Sequence, residues 1–199
     1  MERSAANILT TGKWSKITLW ALGAFLLLMF VTGFWASREP DMFWVNRSAG
    51  QESAVVGYST VDTLVRVAET LQDKNGGYLT NDKLPPFLFL DNIPSWELGV
   101  VNQMSDLGRV MRDDYTRSQS QSKEDADVAE GAPKFFYDND SWVFPTTESE
   151  YQDGIDAFSS YRDRLGAGEP DTQFYARADN LREWLSQVEK RLGSLTPSM

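Results

Sequence analysis

The chain has 199 residues, with 19 Lys and Arg against 29 Asp and Glu, and neither cysteine nor histidine. Those missing types exclude disulfides, thiolate nucleophiles, iron–sulfur ligation and imidazole acid–base or metal chemistry. Residues 1–40 hold four basic and two acidic side chains, so the remaining 15 basic and 27 acidic residues give a formal charge of −12. Such a surface repels phosphate backbones and makes nucleic acid a poor partner.

Ile17 to Trp35, reading ITLWALGAFLLLMFVTGFW, is nineteen residues without a charge. As a helix rising about 1.5 Å per residue it covers roughly 28 Å, close to the hydrocarbon thickness of a bilayer. A cleaved secretory signal has a shorter apolar core and small residues before the cut. Here cleavage after Ala36 or Ser37 would put Phe34 or Trp35 at the minus-three position. The stretch therefore reads as an uncleaved signal anchor. Trp14 and Trp20 near one end, with Trp35 and Trp44 near the other, suit the two membrane interfaces. Arg3, Lys13 and Lys16 precede the span and only Arg38 and Arg47 follow closely, which predicts a cytoplasmic N-terminus. The resulting division is 1–16 cytoplasmic, 17–35 transmembrane, 36–57 juxtamembrane connector, and 58–199 an acidic, mostly helical soluble domain. Met42, Phe43 and Trp44 in the connector suit either the lipid interface or packing on the domain.

Beyond the connector, Val61, Leu64, Val65, Ala68 and Leu71 make an apolar stripe and predict a helix over 59–74. Ser59 or Thr60 would cap it and Gly76-Gly77 would end it. Residues 78–99 contain Pro85-Pro86 and Pro94 around an apolar run, Phe87 to Leu90, and read as an ordered loop. That loop would either bind something or cover the end of a bundle. Asn92 or Ser95 would cap a second helix, with Trp96, Val100, Met104, Leu107 and Met111 on one face. Residues 117–133 are polar and mixed in charge, and read either as a continued solvated helix or, in preference, as a connector from about Ser120. Residues 134–145 (KFFYDNDSWVFP) set aromatic runs on either side of Asn139-Asp140 and predict a small β-hairpin. Asp138, Asn139 and Asp140 lack the Gly and distal Glu of a calcium loop. A third helix over 148–165 would open with a capping box, Thr147 to Glu150, bury Tyr151, Ile155, Phe158 and Leu165, and stop at Gly166. A fourth over 172–192 carries Phe174, Ala178, Leu181, Leu185, Val188 and Leu192 in steps of four and three. That seam would pack antiparallel on the third helix or on a second copy of the chain. The fold class expected is mainly α: one transmembrane helix, then a soluble helical bundle with a small β-hairpin.

The stretches GGYLTNDKLPPFLFLDNIPSWELG, RSQSQSKEDADVA, DNDSWVFPTTESEYQDGI and FYARADNLREWLSQVEKRLGSL resemble a bacterial family of uncharacterised single-span membrane proteins, domain of unknown function 2333. The resemblance covers nearly all of the chain after the anchor. It implies a Gram-negative envelope protein with one N-terminal span, and relatives that continue past Arg191 to Leu195. It implies no activity and carries no functional residues.

Function is read from the anchor, the acidic helical domain and the heptad spacing. They suggest a membrane-tethered, single-pass interaction or scaffold protein with its C-terminal domain outside; the resemblance implies that the membrane is the bacterial inner membrane and the outside the periplasm. Its partners would be the lipid bilayer and another membrane or envelope protein or a second copy, without cofactor, metal or catalytic residues. The alternative is a carboxylate-dependent hydrolase of cell-wall glycan, which needs one carboxyl with a raised pKa beside an ionised one. Asp82, Asp91 and Glu97 around the aromatic loop are the residues it would use.

Overall fold

In the computed structural model, residues 2–45, 55–117 and 123–195 are described, with side chains from Trp14 onward. Among them are six α-helices: α1 (Glu2–Ala36), α2 (Tyr58–Asp73), α3 (Asn92–Val110), α4 (Ala126–Lys134), α5 (Thr147–Ala167) and α6 (Ala178–Leu195). Four surround one core. α5 packs on both α2 and α4, α3 closes the opposite side against the same two helices, and α6 lies outside on α3. All five expected stripe positions of α2 are buried, as are Tyr151, Ile155, Phe158 and Leu165 of α5. Phe135 and Phe158 stack at the centre with ring centroids 5.5 Å apart, and Tyr78 meets Tyr151 edge-on at 5.6 Å.

Trp14–Ala36 of α1 forms a 23-residue stretch with mean hydropathy 2.1, long and apolar enough to cross a membrane. A membrane span and a signal sequence both meet that description. Most of the stretch is exposed, but one face of its last turns is covered: Met29 and Thr32 are half-buried, Gly33 and Ala36 buried. Ala36 joins Leu79 and Ile93 in a second, smaller apolar cluster completed by Phe87 and Leu90. Gly76 makes this docking feasible. Its φ is +86°, and a Cβ there would lie 3.0 Å from the Ala36 Cβ.

The structure corrects several expectations. No strand occurs among the described residues, so the β-hairpin over 134–145 is absent. α4 ends at Lys134, Phe135 turns into the core, and 138–145 is an irregular loop. That loop closes on itself: the Tyr137 hydroxyl donates to the Pro145 carbonyl at 3.1 Å, and Thr147 Oγ1 donates to the Asp138 carbonyl at 2.7 Å. These bonds replace a cross-strand ladder.

The polar stretch before the loop contains α4, where a connector was expected. The Asp125 carboxylate caps it by accepting from the Asp127 and Val128 amides, and Val128, Gly131 and Ala132 are its buried face. So short a buried face, with a glycine and an alanine in it, leaves little periodicity to read. Residues 118–122 of the expected connector, and 46–54 of the juxtamembrane one, lie outside the described residues.

Helix ends differ too. Gly57, not Ser59 or Thr60, precedes α2, with φ +90° and no room for a Cβ beside the Phe174 ring. α3 starts at Asn92 and its inner row is Glu97, Val101, Met104 and Gly108; Trp96, Val100 and Leu107 are only half-buried. A π-helical turn, Met111–Tyr115, continues it. Thr146 caps α5 through the Ser149 amide, and Gly168 in the left-handed region ends it instead of Gly166.

α4 and α5 cross closely because both carry glycine there. A Cβ on Gly131 would lie 2.9 Å from the Ala157 Cβ and 3.2 Å from the Gly154 carbonyl. Gly131→Val should therefore destabilise the fold by about 1–3 kcal/mol through overpacking, measured by chemical denaturation. A change smaller than the error of that measurement would show that the crossing can widen.

Candidate functional site

The three carboxylates of the hydrolase reading have different surroundings. Glu97 has no exposed surface and pairs with Lys74, whose side chain is equally buried. Its carboxylate also accepts from the Leu79 amide at 2.9 Å, the Thr80 amide at 2.7 Å and the Thr80 hydroxyl at 2.6 Å. Lys74 Nζ in turn donates to the Gly77 carbonyl. Asp82 is half-buried, and burial, then the charges of Glu148 and Glu97, hold its carboxyl above the usual range. Asp91 is exposed at the start of α3. The structure gives Glu97 a different job: it fixes the turn 77–80 that follows α2.

That turn is a junction. Ahead of it lies Gly76 against the end of α1; within it lie Leu79 of the second cluster and Tyr78, whose hydroxyl donates to the Asn139 carbonyl at 3.0 Å. Burial above all pushes the Tyr78 hydroxyl well above its ordinary range, and the neighbouring Tyr151 up to about 12. Asn81 continues the link by donating to the Ser141 carbonyl at 2.9 Å and to Glu148 at 3.0 Å, and Lys83 pairs with Asp140. One buried ion pair thus connects α2, α3, the end of α1 and the loop before α5. Nothing in the periodicity of either helix marks Lys74 or Glu97 as partners.

The four tryptophans expected at membrane interfaces are all exposed, from about half for Trp35 to 85% for Trp44. Trp14, Trp20 and Trp35 lie on α1, Trp44 on the irregular segment after it. In that segment Met42 is exposed, while the Phe43 ring lies 4.0 Å from the Arg66 guanidinium carbon. Of the two readings for these aromatics, Phe43 follows the packed one. A cleft of about 620 Å³ opens beside it, lined by Met42, Phe43, Val67, Ile93 and Trp96 among others. A second, polar cleft of about 570 Å³ lies by Arg164, whose guanidinium is already held by Asp125 at 2.8 Å, Asp127 at 2.7 Å and Thr172 at 2.6 Å. Among the described residues no group of three Asp and Glu side chains converges as a metal site.

The heptad seam is divided by the structure. Phe174 precedes α6, outside any helix, and stacks on Tyr115 with centroids 4.8 Å apart. The Tyr175 amide donates to the Tyr115 carbonyl at 2.7 Å, and buried Asn180 donates to the Asp114 and Tyr175 carbonyls at 2.8 Å each. Seating Phe174 this way delays the helix to Ala178, where 172 was expected. α6 then packs on α3, not on α5, through Trp184 and the Arg191–Asp106 pair at 2.7 Å. Leu181 and Leu185 remain 47% and 52% exposed, with Leu192 at 59%.

Lys74→Met should cost about 3–5 kcal/mol in denaturant unfolding, because Glu97 would be left charged and unpaired in the interior. Adding Glu97→Gln should recover part of that loss, since the amide oxygen still accepts from Leu79 and Thr80. Equal loss in the single and double variants would show that the pair's charge is not what holds the turn.

No curated protein and no solved structure matches the chain. The family described as an uncharacterized protein conserved in bacteria (DUF2333) matches residues 9–199, and the chain belongs to it.

Proposed function

We propose that this chain is a membrane-anchored interaction or scaffold protein of the bacterial inner membrane, crossing once, with its N-terminus cytoplasmic and its folded part periplasmic. The distribution of Arg3, Lys13 and Lys16 against Arg38 and Arg47 supports that orientation. Retention of the span is supported by Ala36, which has no exposed surface and is part of an apolar cluster of the folded domain. Cleavage at the end of the span would strip that cluster.

The observation that carries the interaction role is the half-exposed Leu181 and Leu185 on α6. The partner proposed is a second copy of the chain, its α6 antiparallel to the first. In that arrangement Leu185 meets Val188 and Leu181 meets Leu192 across the seam. Arg182 and Glu189, both exposed, then face the Glu189 and Arg182 of the other copy. Two and a half heptads are too short to associate strongly in dilute solution, but tethering in a membrane raises the effective concentration.

The chain's lack of cysteine makes the test clean. A Leu185→Cys chain in native membranes should give a dimer with a short bis-maleimide. Arg182→Glu in that background should lower the dimer yield by about two- to fivefold, as expected for exposed ion pairs, and adding Glu189→Arg should restore it. Monomer alone in the membrane would overturn the self-association.

A further inference from the structure

We infer that two apolar loops of the folded domain dip into the bilayer beside α1, so that the domain is fastened to the membrane by a face as well as by its span. The inference rests on α1 being a membrane span. Leu84 to Leu90, reading LPPFLFL, has no charge and lies between Lys83 and Asp91. It is two-sided. Phe87 and Leu90 turn inward onto Ala36, Leu79 and Ile93, while Leu84, Leu88 and Phe89 are 67%, 55% and 75% exposed. A second apolar tip, Trp142, Val143 and Phe144, is 61%, 66% and 89% exposed. The two are neighbours, tied by Asn81 to the Ser141 carbonyl and by Lys83 to Asp140.

Their position identifies the lipid as occupant. Pro86 packs on Gly33 of α1, where a Cβ would lie 3.3 Å from the Pro86 Cβ. Gly33 is three residues inside the end of the apolar stretch, about 4–5 Å below it along the helix axis. A loop touching Gly33 is therefore level with the interface of any bilayer that α1 crosses, the depth at which apolar faces of membrane-surface segments settle. An aromatic-rich apolar tip at that level suits lipid. The charges beside the loops are neutralised as a pair, Lys83 with Asp140, or are acidic, as Asp91 and Asp138 are. Insertion then depends on apolar burial and needs no anionic lipid.

The test uses the full chain in phosphatidylcholine vesicles, with single cysteines at Phe89, Phe144, Leu27 in the span and Asp156 on the exposed side of α5. An environment-sensitive maleimide dye at positions 89 and 144 should be quenched by brominated lipid, as at 27, and not at 156. A water-soluble maleimide should label 89 and 144 roughly tenfold more slowly than 156, with no dependence on added anionic lipid. Fast labelling at 89 and 144 with position 27 protected overturns the docking face while the span stands. Slow labelling there without quenching by the lipid bromines means that protein covers the loops, which also overturns it. Fast labelling at position 27 removes the span, and the docking face with it.

Discussion

A single buried charge pair holds the junction on which this architecture depends. Glu97 and Lys74 have no exposed side-chain surface, and the carboxylate accepts from two successive backbone amides of the turn after α2. Taking two charges out of water is costly, and removing either partner leaves the other stranded. The pair therefore resists local change at the place where most elements meet. Fixing residues 77–80 sets the direction in which the chain leaves α2, the seat of Leu79 under α1, and the anchor points for the loop before α5.

That junction also makes the end of α1 part of the domain. Gly76, in the left-handed region and without a side chain, lets Ala36 close onto Leu79 and Ile93. A helix joined by a loose linker would leave the domain free to tumble. Here the last turns of α1 are covered on one face, so the orientation of α1 and that of the four-helix core are coupled. The exposed apolar loops at 84–90 and 142–144 and the exposed leucines of α6 then have fixed directions relative to α1.

α6 shows how a periodic pattern can mislead. Steps of four and three from Phe174 to Leu192 describe a helical seam, and five of its six positions, from Ala178 onward, lie on α6. Phe174 leaves the pattern because the π-helical turn of α3 presents the Tyr115 ring and carbonyl as a better partner than the next helical turn. The same competition removed the expected hairpin. Aromatic residues on both sides of Asn139-Asp140 look like paired strands, but Phe135 is taken by Phe158 in the core.

Properties that depend on local composition were legible in the sequence. They include the apolar stretch of α1, the stripes of α2 and α5, and the acidic surface of the remainder. Each follows from neighbours within one or two helical turns, whose burial preference a periodic pattern records directly. The partner of Glu97, the rotation of α3, the glycine contact between α4 and α5, and the outward face of α6 were decided only in three dimensions. They arise between segments far apart in sequence, where burial, hydrogen-bond satisfaction and close approach are settled by what the fold brings opposite.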